Sequence, residues 1–403
     1  MCDRCLGRRI IGAAGAEPQR SAARLQRTWP EVAESACPVC EGAFAEQGKW
    51  LEAALEAAKP YQFATFQVGT KFPGPGEGLE REVSAAMGQE KVGENLRTEA
   101  NRWLAAAIGK ATGTATSPEG RPELVIEVDT RYWTAKADAN AVFVKGRYNK
   151  LRRDIPQTHW PCRRCTGKGC WECNDTGVTY AESVEDAIGE PAEPSFGATG
   201  HSFHGAGRED IDALMLGTGR PFIVELTNPR RRAADLGELA SRINAETAKT
   251  GVTVRDLRMA APDEVAAIKE GEYGKEYLAH CLAQGPVSRR HVEAVAEQLA
   301  GATLEQRTPD RVSHRRADLV RKRRLHKVTL EAMPDDPGDR FSLRVHAESG
   351  TYINEMVNGD EGRTVPSFSE LAGIPTKVEF LDVIAILDDR PKEPKPAATG
   401  DGA

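Results

Sequence analysis

A chain of 403 residues is longer than one ordinary hydrophobic core and points to two or three domains of roughly 150 residues each. Hydrophobic content of 40% and charged content of 28% exclude a wholly disordered chain, while 24 prolines and 38 glycines call for many loops. No run nears the roughly 20 apolar residues that cross a bilayer, the start "MCDRCLGRRI" lacks the apolar core of a secretion signal, and a formal charge of −6 is not that of a general nucleic-acid coat. The expected setting is cytoplasmic, with no membrane partner.

In chain order, the first 60 residues hold two C-x-x-C pairs, Cys2 with Cys5 ("CDRC") and Cys37 with Cys40 ("CPVC"), and two predicted helices, one being "GKWLEAALEAAKP". "FATFQVGT" follows as a strand by its apolar and β-branched content, then "QEKVGENLRTEANRWLAAAIGKATG" as an amphipathic helix ended by glycine. The strands "PELVIEVD", "RYWTAK" and "NAVFVKGRYNK" complete an α+β module over 61–185. Its basic end "KGRYNKLRR", with Lys145 and Arg147, suits an RNA backbone. Cys162, Cys165, Cys170 and Cys173 close the same segment as "CRRCTGKGCWEC".

Eight of nine cysteines thus fall in C-x-x-C pairs. A two-residue gap lets both sulfurs of a pair turn toward one ion, and four thiolates make a closed tetrahedral site with Zn–S near ~2.3 Å. Two structural zinc ions are expected. Disulfides suit an oxidising compartment, for which no signal exists, and a redox C-x-x-C comes singly on a thioredoxin-like pattern. Neither cluster leaves an open position, so catalytic zinc is not expected. Cys281, in "YLAHCLA", reads as a buried thiol. "CxxCxGxG" also resembles the zinc repeats of DnaJ-type chaperones, but only one full copy and no J-domain motif are present.

"GEPAEPSFGATG" has linker composition and places a boundary near Glu190. Beyond it, "PFIVELT", "EYLAHCLA", "RRLHKVTLEAM", "RFSLRVHAES" and "VEFLDVIAIL" read as strands, and "ADLGELASRINAETAKTG" and "SRRHVEAVAEQLAG" as helices. Strands outnumber helices, which predicts an α+β domain on a mixed, largely antiparallel sheet over 186–390, followed by a disordered tail at 391–403. Residues 307–327, "RTPDRVSHRRADLVRKRRLHK", carry nine Lys or Arg, and together with the other basic sets they favour a polyanionic partner. Within "HGAGREDIDALMLGTGRPF", Glu209, Asp210 and Asp212 crowd beside Arg208, a pattern that alone reads as a solvated turn.

Four stretches in matching order give that cluster a context. "GRED" at 207–210, "KEY" at 275–277, "QRTPDRVSHRR" at 306–316 and "GTYINEMVNGDEGRT" at 350–364 resemble the pseudouridine synthases, within them the archaeal and eukaryotic family acting on the tRNA T loop. Upstream, "GRYNKLRRDIPQTHWPC" and the cysteine knuckle resemble that family's THUMP-type RNA-binding region with zinc. The resemblance covers nearly the whole chain. It implies a monomeric tRNA pseudouridine synthase, an isomerase converting uridine-55 and also uridine-54, with no catalytic cofactor and no obligate protein partner.

By that resemblance Asp210 is the reacting carboxylate, as nucleophile on sugar or base or as the base of an elimination. Tyr277 stacks on the uracil, Tyr352 and Ile353 line the pocket floor, and Leu381 packs beneath Tyr277. Arg311, Arg315 and Arg316 touch RNA, and the basic 307–327 segment inserts into it as the target base is flipped out. Asp212 supports the loop, and Glu209 lies at the surface. Relatives carry Lys or Arg two residues after the "GTY" tyrosine to keep the aspartate ionised, whereas this chain has Asn354, so Arg208 or another arginine stands in. Asn354 also leaves open a non-catalytic zinc-containing RNA-binding protein of the same fold.

Overall fold

The computed structural model describes residues 1–387 apart from 14, 27–29, 73, 87–92, 118–119, 272 and 312–316. Arg315, Arg316 and the 391–403 tail therefore lie outside the described residues. Two units form: one from Met1–Val142 with Glu193–Gly200 and Leu226–Ala234, the other from Phe143–Ala192, His201–Glu225 and the chain from Asp235 onward.

The first unit contains α1 (Asp3–Ile11), α2 (Ala16–Gln26), α3 (Gln47–Ala58), β1 (Thr65–Lys71), α4 (Gly76–Ala86), α5 (Leu96–Thr112), β2 (Ala115–Thr116), β3 (Leu124–Asp129) and β4 (Thr134–Ala139). The strands order β2-β1-β3-β4, with β1 parallel to both neighbours and β3 antiparallel to β4. Asn95 caps α5 by accepting from the Thr98 N–H at 2.8 Å, and Gly113 ends it in the left-handed region at φ 71°. Between them Leu96, Ala100, Leu104 and Ile108, spaced four apart, form one buried stripe that packs on β1. Trp50 of α3 fills the centre and donates its indole N–H to the Thr130 carbonyl at 3.1 Å. Cys2, Cys5, Cys37 and Cys40 belong to this same core.

The second unit holds all or most of β5 (Val142–Lys150), α6 (Val184–Phe196), β6 (Gly200–Gly205), β7 (Met215–Thr227), α7 (Leu236–Ala245), α8 (Thr247–Thr250), β8 (Val252–Ala260), α9 (Glu264–Glu270), β9 (Gly274–Val287), α10 (Arg289–Leu299), β10 (Thr303–Arg307), β11 (Val320–Ala332), β12 (Gly338–Ala347), α11 (Ile353–Asn358), β13 (Thr364–Val365), α12 (Phe368–Ala372) and β14 (Thr376–Leu387). One ten-stranded sheet orders them β13-β10-β11-β12-β9-β14-β7-β5-β8, with β6 beside β7. β9 pairs antiparallel with both β12 and β14, while β14 meets β7 in parallel. The expected mixed, largely antiparallel sheet is present.

The division of the chain differs from the expected boundary near Glu190. "NAVFVKGRYNK" is β5, and its antiparallel pairing with β8 carries it, and the second cysteine cluster after it, into the second unit. Most of the stretch read as a linker, Gly189 to Phe196, is the second half of α6. Val184, Ile188, Ala192 and Phe196 bury one face of that helix, and this stripe outweighs Pro191 and Pro194, each of which removes one helical N–H. "TYI", which on its residues fits a core strand, instead leads into α11. Among the described residues no helix is long and apolar enough to cross a membrane.

Candidate active site

The loop between β6 and β7 carries Gly207 at φ 77°, where a side-chain Cβ would come within 3.2 Å of an Arg220 nitrogen and 3.3 Å of Lys275 Nζ. The positive φ favours glycine there, and a side chain would also press on the tips of both cations. Behind the loop, side chains donate to its carbonyls in turn: Arg220 to Ala206 at 2.7 Å, Gln157 to Gly207 at 3.1 Å, and Lys150 to Asp210 at 3.2 Å and Ile211 at 2.9 Å. Arg153 holds the Asp212 carbonyl and also clasps the Asp382 carboxylate of β14 at 2.7 and 2.9 Å. Lys150 Nζ is fully buried, and burial pulls its pKa down.

Glu209, expected at the surface, is buried. Its carboxylate accepts from the Tyr148 hydroxyl at 2.7 Å and lies 2.8 Å from Arg220 Nε. Burial, then the charge on Glu209, pushes the Tyr148 hydroxyl well up. A buried carboxylate with two partners pins the backbone, so its neighbour Asp210 turns outward and is exposed. The Ala213 N–H closes a turn on the Asp210 carbonyl at 3.1 Å. Asp210 and Asp212 therefore do not share a face through strand alternation, although both reach the same cleft.

That cleft, of about 170 Å³, gathers Arg208, Asp210, Asp212, Tyr277, Arg311, Tyr352, Ile353, Asn354 and Leu381, drawn from stretches far apart in sequence. Tyr277 sits on β9 opposite Val345 and Val383 and is 8% exposed. Burial pushes its hydroxyl up to about 12, with Arg220 opposing and Asp210 adding to the rise. A larger cleft of about 900 Å³, bordered by Asn358, Ser367 and Lys377, contains none of the expected site residues.

Asp210 makes no ion pair among the described residues. Arg208 lies instead over the Trp160 ring, 4.8 Å from its centroid. Arg311 pairs with Glu355, Nε to Oε1, at 2.7 Å. Burial opposes the Arg311 charge, but Glu355 and then Asp210 and Tyr352 hold its pKa above the ordinary value. Asn354 lines the cleft with a buried Oδ1 that has no hydrogen-bond partner among the described residues. Lys145 is paired with Glu264 at 3.0 Å, and Arg147 donates to the Gly219 carbonyl at 2.9 Å, so the two β5 residues expected to meet RNA already have intramolecular partners.

Sequence reasoning overlooked Arg220 and Lys275. Lys275 shares a strand face with Tyr277 by the two-residue repeat, a signal already present in "KEY". Burial lowers its ammonium to about 8, with Arg220 adding to the fall and Glu209 opposing. Arg220, buried, interrupts the apolar run of β7 just before Pro221 and Phe222, and a charge in such a run calls for a buried partner.

None of the nine cysteines is joined in a disulfide. In the first cluster Cys2 and Cys40 sulfurs are 3.8 Å apart; in the second, Cys162 to Cys170, Cys165 to Cys173 and Cys170 to Cys173 measure 3.9, 3.8 and 3.7 Å. Four sulfurs at about 2.3 Å from one tetrahedral ion lie about 3.8 Å from each other, so each set fits a single metal ion. Backbone N–H groups of Cys170 and Gly177 reach the Cys173 sulfur at 3.3 Å, a supporting layer usual around thiolates.

Residues 143–387 match the family described as "Pus10, C-terminal", and residues 50–129 the one described as "Pus10 THUMP domain, archaeal". A THUMP domain joined to a pseudouridine synthase domain is the class of protein this chain represents. The protein named tRNA pseudouridine synthase Pus10 from Halorubrum lacusprofundi is 40% identical over 98% of this chain and 95% of its own length. Its namesakes from Archaeoglobus fulgidus and Methanocaldococcus jannaschii are 39% and 36% identical over 88% and 89% of this chain, covering 96% and 77% of their own lengths. The chain belongs to the Pus10 family. A chain of the crystal structure of a Cbf5-Nop10-Gar1 complex aligns over 48% of this chain and 43% of its own, at a TM-score of 0.29 and 16% identity, too slight a likeness to bear on function.

Proposed function

We propose that this protein isomerises uridine to pseudouridine in the T loop of tRNA, at position 55 and also at 54, with Asp210 as the reacting carboxylate. The observation that carries this reading is Asp210, turned outward at the rim of a cleft whose wall holds Tyr277 and Arg311, in a chain of the Pus10 family. The reaction breaks the bond from ribose C1′ to uracil N1 and joins C1′ to C5; the C5 proton is released and N1 takes one up, so the product is an isomer of the substrate. The uracil ring carries the electrons, so no catalytic cofactor is needed. Asp210 attacks the sugar or the base, or removes a proton, and Arg311, whose own charge Asp210 helps to hold, is the cation of the cleft that stands in for the residue relatives carry at position 354.

Tyr277 stacks on the flipped uracil, its hydroxyl kept protonated by burial, while Tyr352, Ile353 and Leu381 complete the pocket. Asp212 stays a support of the loop. Arg311, Arg315 and Arg316 meet the phosphates of the T arm. Both cysteine clusters hold structural zinc, which supplies folding energy and no step of the reaction. The cytoplasm is the compartment of such an enzyme, and no membrane or obligate protein partner enters.

Incubating the protein with an unmodified tRNA transcript without cofactor, then mapping pseudouridine by carbodiimide primer extension, tests the reading. Wild type gives stops at 55 and 54, Asp210→Ala gives none with unchanged thermal stability, and Asp212→Ala keeps product. Absence of product from wild type across salt concentrations sinks the enzyme; loss in Asp212→Ala with retention in Asp210→Ala moves the carboxylate.

A further inference from the structure

The second cysteine cluster differs from a purely structural knuckle in what it shows to solvent. Trp171 is 73% exposed, more than any other aromatic side chain among the described residues. It stands in a short 3₁₀ turn, Trp171–Cys173, between two of the four cysteines. Arg164 lies over one face of the indole, 4.5 Å from its centroid, and 3.7 Å from Glu172. Arg163 and Lys168 are exposed on the same knuckle. An indole left in water beside cations, on a scaffold whose backbone is fixed by four thiolates, is the arrangement that stacks an unpaired base while the cations meet its phosphates.

The knuckle is also joined to the cleft. At its stem, the Thr179 N–H bonds the Trp160 carbonyl at 2.9 Å, Trp160 packs edge-on against Tyr180 at 5.5 Å, and Arg208 of the Asp210 loop lies over Trp160. An RNA engaged at Asp210 therefore has the knuckle as a neighbour on the same unit.

We infer that Trp171, with Arg164, Arg163 and Lys168, forms a second RNA contact in the catalytic unit, a platform for one unpaired base of the substrate RNA. The inference rests on the reading of that substrate as tRNA. The test combines filter binding of the unmodified transcript with turnover and metal content for Trp171→Ala and Trp171→Phe. Trp171→Ala is expected to raise Kd and KM about 5- to 150-fold, the range of one lost base–aromatic stack, with metal content and kcat at saturating RNA unchanged and Trp171→Phe recovering most of the affinity.

Wild-type affinity in Trp171→Ala, alongside pseudouridine formation by wild type, overturns the platform alone and leaves Trp171 to a protein partner. Absence of pseudouridine from wild type, with Trp171-dependent binding intact, overturns the enzyme reading and supports the platform. Ultraviolet cross-linking of the unaltered protein to a 4-thiouridine-substituted transcript reads the contact without mutation. Cross-links on the knuckle around Trp171 are expected, and their confinement to other regions overturns the inference even where Trp171→Ala fails to keep its metal.

Discussion

The back and the front of the 206–213 loop use the same kinds of residue for opposite ends. Behind it, Glu209, Arg220, Tyr148, Gln157 and Lys150 satisfy each other and the loop carbonyls in a setting closed to water. In front, Asp210 and Arg208 are exposed, and Asp210 has no ion-pair partner among the described residues. Two adjacent carboxylates have thus been given different work by their surroundings. A buried charge is tolerable only when paired and bonded, so Glu209 is consumed in fixing the backbone, and that rigidity holds Asp210 in a defined place with no ion-pair partner among the described residues.

The comparison breaks first at Arg220. Arg220→Met leaves Glu209 as an unpaired buried carboxylate, and a loss of about 3–5 kcal/mol of unfolding free energy is expected in denaturant titrations. A change below about 1 kcal/mol, the value for an exposed pair, would show that the back of the loop is wetter than its burial indicates.

Lys275 sharpens the contrast through pH. Its ammonium is lowered to about 8 by burial, so folded and unfolded states both carry the proton below that value. Between 8 and the ordinary value of 10.5 only the unfolded chain keeps it, and stability contributed by this group rises with pH across that window. The advantage of Lys275→Met over wild type should therefore be greatest at pH 7 and shrink by about 3 kcal/mol by pH 10.5. Unfolding curves whose difference stays constant over that range would refute a charged, buried Lys275.

Lys150 gives the smallest expected effect and the most direct one on chemistry. Lys150→Met removes the donor shared by the carbonyls of Ile155, Asp210 and Ile211. The Asp210 carboxylate then drifts, and kcat should fall about 10²-fold, the usual cost of a misplacement near 1 Å, with KM for tRNA little changed. A rise in KM at constant kcat would instead make Lys150 an RNA contact, as its place in a basic stretch first suggests.

That stretch shows where sequence reasoning stops. "KGRYNKLRR" reads as one basic patch, yet Lys145 and Arg147 are tied up along β5, Lys150 is fully buried beneath the loop, and Arg153 bridges to Asp382. Alternation along a strand sends neighbours to opposite faces, and which face is buried depends on the strands beside it, here β8 at one edge. The residue string carries no sign of that pairing.

The sequence by itself determined the family, the two four-cysteine sets, most strands and helices, and several of the residues that meet at the cleft, though not Arg220 or Lys275, because ordered motifs and C-x-x-C spacing are local patterns. Tertiary structure alone decided that Glu209 is buried while Asp210 is not, that β5 and the second knuckle belong with the catalytic unit, and that Arg311 is the cation influenced by Asp210 where Asn354 carries no charge. Burial and charge neighbourhood arise from contacts between segments distant in the chain, and no spacing within a single motif encodes them.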